Sequence, residues 1–179
     1  MIYAYRPKRR GRAALLLVGA SFFVFLVAIT YAVIFGEARY ILEPVALVAL
    51  AVAVLILGRY LLKEYIYSIE DGKVGFDFVV VEWQAKRRRT VARVALSDIT
   101  EVARETEETR RALRKRMRAG RSYDYVIDLG ARDALVVFLT EDGKDTAIRL
   151  SYDRRLEELL RSAAAQNGTK NHSEEGTTA

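Results

Sequence analysis

The residues of this chain best suited to chemistry are cations. Arg110, Arg111, Arg114, Lys115, Arg116, Arg118 and Arg121 fall within twelve positions, with Leu113 and Met117 one helical turn apart among them. Glu107 and Glu108 precede this run as at a helix start, and Gly120 suits a helix end. Arginine carries a planar fork of N–H donors that matches carboxylate and phosphate, so a run of this kind recognises anions. Three readings fit it. It is a solvated excursion between two strands, a patch resting on anionic lipid headgroups at ~1 kcal/mol per cation, or a nucleic-acid contact. The last is disfavoured, because single-strand binders interleave aromatic rings that stack on bases, and this run has none. Lys86, Arg87, Arg88 and Arg89 form a second cluster at an expected strand turn. There charge serves equally well to guard a sheet edge against unwanted pairing.

Catalytic groups are scarce. The only histidine is His172, in a polar C-terminal stretch, so a His base or a His-activated nucleophile has no natural home. The chain has no cysteine, which removes disulfides and thiolate metal sites. Asp124 and Asp128 share one face of an expected strand, but scattered carboxylates of this kind are ordinarily solubilising. No Walker loop, Rossmann glycine pattern or His-x-x-x-His pair occurs. The expectation is a protein that is not an enzyme, with no catalytic residue, no metal site and no cofactor. Trp83, at a strand end, reads as a core or interface anchor.

These residues hang from a membrane anchor. Residues 13–35 carry no charge. As a helix that stretch is roughly 34 Å long, enough for a hydrocarbon core of ~30 Å. It is also longer than the ~7–15 apolar residues of a cleaved signal, and no Ala-rich cleavage site follows it. A second apolar stretch, 41–62, reaches the same length with Glu43 and Arg59 at its ends, where each meets headgroups. Pro44 is expected in the first turn of that helix, where its missing N–H is harmless. Tyr31, Tyr40, Tyr60, Tyr65 and Tyr67 flank the two stretches at interfacial positions. The short link between the helices dictates an antiparallel hairpin. Small residues Gly19, Ala20 and Ala28 on the first helix, with Ala46, Ala49 and Ala53 on the second, permit close packing.

Charge orients the hairpin. Residues 1–12 hold Arg6, Lys8, Arg9, Arg10 and Arg12 and no acid, and these determine topology. Cationic flanks stay cytoplasmic, so both termini are expected inside a bacterial inner membrane. The net charge of +6 divides as +5 in residues 1–12, +1 in 13–63 and zero in 64–179. The excess is a topology signal, and the remaining domain is neutral overall.

Residues 64–165 are enough for one modest core. Strands are expected at 65–69, 74–83, 90–96, 99–105, 123–129, 134–140 and 145–152, with Asp-Gly turn signals at Glu70-Asp71-Gly72-Lys73 and Glu141-Asp142-Gly143-Lys144. The crowding of Val79 and Val81 opposite Val80 suggests a bulge or a strand covered on both sides. Leu156, Leu159, Leu160, Ala163 and Ala164 form one stripe of a helix with Asp153 as its N-cap. Residues 166–179 lack an apolar face and read as a disordered tail.

Seven strands in meander order closed by one helix resemble the bacterial pleckstrin-homology-like (bPH) domain of small membrane proteins. The phrases Tyr67-Ser-Ile-Glu-Asp-Gly-Lys-Val74 and Val94-Ala-Leu-Ser-Asp-Ile-Thr-Glu-Val102 carry the likeness, as does the preceding helix pair. The resemblance implies an α+β fold: a two-helix transmembrane hairpin, then a seven-stranded PH-like β-barrel capped by a C-terminal α-helix. It brings no reaction and no catalytic residues. Nor does it bring phosphoinositide recognition, because the first hairpin loop is net acidic. The function expected is a membrane-anchored binding or scaffold module whose partners are the lipid bilayer and another membrane protein or a second copy. The alternative is a sensor of anionic lipid headgroups using residues 110–121.

Overall fold

The computed structural model describes residues 2–9, 11–72, 75–84, 86–141 and 144–175. It divides into two compact units, Arg9–Lys63 with Asp128–Gly130, and Met1–Lys8 with Glu64–Ile127 and Ala131–Ala179.

The first unit is a pair of helices, α1 (Ala13–Ile34) and α2 (Arg39–Ile56), each part of a span long and apolar enough to cross a membrane. Their contact is made by Ala28 and Ala32 on α1 and by Ala46 and Ala53 on α2, all buried. Side chains without bulk let two backbones approach closely. Ala28, Ala46 and Ala53 follow the sequence pattern. Gly19 and Ala20 instead lie exposed, and Ala32 takes their place. Outward the pair presents Leu16, Phe23 and Val33 from α1 and Leu47, Val48 and Leu55 from α2, all exposed. That much continuous apolar surface suits lipid rather than water. α2 begins at Arg39, so Pro44 lies inside the helix and not in its first turn. The Arg39–Glu43 ion pair, 2.6 Å at i,i+4, spans the weakened turn. A π-helical turn at Leu57–Leu61 extends α2, and Leu62 N–H donates to the Leu57 carbonyl at 3.0 Å. Arg9 closes that end by donating to the carbonyls of Leu61 (2.6 Å) and Lys63 (3.0 Å).

The second unit holds two four-stranded sheets. The first has the order β1 (Tyr3–Tyr5), β2 (Lys63–Asp71), β3 (Phe76–Gln84), β4 (Arg87–Ala95). The second has the order β5 (Ile99–Glu105), β7 (Ala134–Glu141), β8 (Lys144–Ser151), β6 (Arg121–Asp124). The helices α3 (Arg110–Ala119) and α4 (Arg154–Glu175) complete it. One core lies between the sheets. It joins Tyr65, Tyr67, Phe78 and Val80 to Val102, Leu135, Ile148 and Leu150, with Leu156 and Leu160 of α4 fully buried against them. Asp153 caps α4 by accepting from Leu156 N–H at 2.9 Å, as the stripe requires.

Several expectations change. All seven anticipated strands exist in part, and β1 is an eighth, drawn from the residues ahead of α1. Its Tyr3, Ala4 and Tyr5 pair antiparallel with Ile69, Ser68 and Tyr67 of β2. The expected seven-stranded PH-like barrel is found as two four-stranded sheets, with no barrel closure among the described residues. β6 ends at Asp124 and runs parallel to β8, so it does not continue a meander and does not meet β4. Asp124 also turns the chain, accepting from Val126 N–H at 3.1 Å. The bulge suggested at Val79–Val81 is present between Val80 and Val81. Helix α4 continues through Glu175, past the boundary expected at 165. Once its docked first turns are formed, each further residue adds a hydrogen bond without a new nucleation cost. The Asp142-Gly143 turn signal, Lys73 and Arg10 lie outside the described residues.

Candidate functional site

The basic run forms α3, and the helix sorts its cations by face. It starts on a reciprocal pair in which Thr106 N–H donates to Thr109 Oγ1 at 2.9 Å and Thr109 N–H donates back to Thr106 Oγ1 at 3.5 Å. It stops at Gly120, where a Cβ would come within 2.3 Å of the Asp145 carbonyl of β8. Met117 and Leu113 anchor the helix on the outer face of the second sheet, against Val136, Phe138, Ala147 and Ala103. That face combines these apolar positions of β5, β7 and β8 with the charged Glu101, Glu105 and Arg149.

Beneath the helix start lies Glu105, fully buried at the end of β5. Its Oε1 accepts from Nε of Arg110 and of Arg114, each at 3.2 Å, and its Oε2 pairs with Arg149 of β8. Arg149 also reaches Asp124 Oδ2 at 3.3 Å, while its Nη2 is buried without a hydrogen-bond partner. Arg110 Nη2 further donates to the Ala131 carbonyl at 2.6 Å. Arg110 and Arg114 are therefore committed to holding α3 down. Arg116 is committed too, pairing with Glu101 at 2.5 Å and lying 3.9 Å over the Phe138 ring.

Arg111, Lys115 and Arg118 recur at i, i+4 and i+7 and are exposed. Among the described residues they make no ion pair, and neither does Arg121. The candidate surface thus narrows to one outward stripe on α3 continued by Arg121. Of the second cluster, Arg88 lies 4.5 Å over the Trp83 ring, and Arg6 lies 4.7 Å from the same ring. Trp83 is a cation-stacked anchor at the end of β3. Lys86, Arg87 and Arg89 are exposed and make no ion pair among the described residues. Of the cations read as topology signals, Arg6 also pairs with Glu64, and Lys8 and Arg12 are exposed.

Sequence reasoning missed Glu105 and Arg149. A charged residue mid-strand reads as solvent-facing unless something covers that face, and the covering helix is itself the most charged segment of the chain. The N-terminal strap was missed as well. Tyr3 OH donates to Asp153 Oδ1 at 2.5 Å, and burial with that neighbouring carboxylate pushes the Tyr3 phenol well above its usual range. Burial does the same to Tyr67, whose hydroxyl donates to the Tyr125 carbonyl at 2.8 Å and accepts from Ser151 N–H at 3.1 Å. Tyr152 is shifted upward by desolvation and by Glu157. Among the described residues, no group of three or more His, Cys, Asp or Glu is placed to hold a metal ion.

The family model described as Bacterial PH-like domain (DUF6106) matches residues 6–169. No curated protein matches the chain. No solved structure matches it either.

Proposed function

We propose, from the premise that this chain belongs to the bacterial PH-like domain family, that it is a non-catalytic binding or scaffold module anchored in the bacterial cytoplasmic membrane. Its sheet unit faces the cytoplasm and meets another membrane protein or a second copy. The pairing of β1 with β2 carries the anchoring part of this reading. One strand precedes the two apolar spans and the other follows them, so a shared sheet requires both ends of the helix pair on one side of the bilayer. Arg6, Lys8, Arg9 and Arg12 mark that side as the cytoplasm. Binding rather than conversion is supported by the fate of the buried charges. Glu105 is taken up by three arginines, which suits a brace and not a proton carrier.

The second reading, a sensor of anionic lipid, has its own observation. Arg111, Lys115 and Arg118 form an outward stripe without ion pairs among the described residues, on a helix whose other face is occupied. A photo-cross-linking residue placed in cells at Lys86, Arg111 or Tyr123 distinguishes the two. Discrete protein adducts at a subset of these positions support the binding module. Adducts with lipid alone, confined to Arg111, favour the sensor. No adduct at any position, or turnover of labelled lipid by the pure protein, overturns the module.

A further inference from the structure

The two sheets leave a seam where a closed barrel would have continuous pairing. β4 ends the order of the first sheet and β6 ends that of the second. A cavity of about 210 Å³ lies between them. One wall is Val91–Val94 of β4, and the opposite wall is Tyr123 with Tyr125. Those two rings lie parallel within 2° at a centroid distance of 6.3 Å. Leu139, Thr146 and Ile148 form the floor.

Three features show what this cavity fits. Successive strand residues point to opposite faces, so a cavity touched by four in a row runs along the edge of β4. That edge carries backbone hydrogen-bonding groups, and only another extended backbone matches them in series. Tyr125 OH donates to the Val91 carbonyl at 3.2 Å, so a side chain satisfies an acceptor that a neighbouring strand would otherwise take. A tyrosine side chain plus that bond spans about two strand spacings of ~4.8 Å, the width that one added strand needs. Finally, Thr146 is 2% exposed and its Oγ1 has no hydrogen-bond partner. Buried hydroxyls are nearly always partnered, so this one marks a site for an incoming polar group.

Charge adds direction. Arg87, Arg88 and Arg89 are exposed along the first part of β4 and guard that edge. Past Thr90 the strand carries one more cation, Arg93, which lines the cavity and is paired with Asp77 at 3.1 Å.

We propose that the seam takes one extended peptide segment of a partner protein as an added strand. The segment is apolar at alternate positions over Val91–Val94 and acidic where it passes Lys86–Arg89. This rests on the binding-module reading and names its ligand class.

The test uses the full-length protein in detergent micelles. The probes are short fluorescent peptides of alternating valine and threonine, with a run of aspartates at one end or the other to allow either strand direction. One of the two saturates the protein and slows hydrogen exchange over residues 91–94. N-methylation of its alternate amides weakens binding at least about tenfold, the effect of losing one or two backbone hydrogen bonds. Val94→Lys weakens it comparably. So does Tyr123→Ala, which replaces a half-exposed ring and spares the core. Arg154→Ala, remote from the seam, leaves binding unchanged. Equal binding by the N-methylated and parent peptides means apolar capture without strand pairing, and overturns the proposal. Absence of saturable binding by both peptides overturns it too. Protein adducts obtained in cells at Lys86 or Arg111 then leave the broader module standing, and their absence removes both.

Discussion

Tyr3 faces Ile69 across an antiparallel pairing, although both apolar helices lie between them in the chain. The sheet unit is therefore built from the segments that flank both apolar helices. Tyr3 also ties the sheet to α4 through Asp153, the residue that caps that helix. Tyr3→Ala removes a hydrogen bond to a charged acceptor and is expected to cost about 2 kcal/mol. Thermal melts in detergent will read this as a drop of several degrees. A fragment beginning at residue 64 lacks β1 altogether and will melt below the same fragment with residues 2–8 restored by a linker.

Glu105 is a brace whose removal is felt elsewhere. Glu105→Ala leaves the buried Arg149 with only the half-exposed Asp124 as an ion-pair partner, and breaking a buried ion pair from one side costs about 3–5 kcal/mol. Hydrogen exchange will show α3 opening first, because Arg110 and Arg114 lose their common acceptor. An unchanged exchange pattern over 110–119 would sink the assignment.

The outward stripe behaves differently from the inward pair. Arg111→Ala, Lys115→Ala and Arg118→Ala together are expected to leave the melting temperature within a degree or so, since exposed cations contribute little to stability. If the lipid reading holds, the same three side chains supply about 3 kcal/mol at an anionic surface. Tryptic cleavage within α3 will then be slower in nanodiscs containing anionic lipid than in neutral ones, and salt will abolish the difference.

Alkaline pH weakens the fold through Tyr67. Its phenol is raised from the unfolded value of 10.0 by burial. Below that pH both states hold the proton and stability is unaffected. Above it the unfolded chain ionises while the folded one stays protonated, so the unfolded state binds fewer protons and stability falls as pH rises. Tyr67→Phe removes this contribution and flattens the decline. It also orphans Ser151 N–H and the Tyr125 carbonyl, which costs about 1–3 kcal/mol at neutral pH. Denaturant titrations at neutral pH and above pH 10.0 check both signs.

Much of the architecture was legible because it follows from local repeats. The uncharged run after Arg12 reads as a span by length and composition alone. Leu156 and Leu160 read as one buried stripe because they are a helical turn apart, and Asp153 reads as their cap. The strands are legible where side chains alternate, as in 145–152, and where a short apolar run sits between turn signals, as in 134–140. The failures lie where one element covers another. Arg149 alternates like a solvent-facing residue, yet α3 lies over it.

The sequence by itself determined which segments are apolar, which alternate and which carry charge, because hydrophobic periodicity and charge are properties of neighbouring residues. Only the tertiary structure decided that Tyr3–Tyr5 completes the first sheet, that Arg110 and Arg114 turn inward while Arg111, Lys115 and Arg118 face out, and that β4 and β6 never meet. Those outcomes depend on partners distant in sequence: an open edge on β2, a buried carboxylate on β5, and a chain that leaves its strand at Asp124. No local pattern encodes the presence of a distant partner.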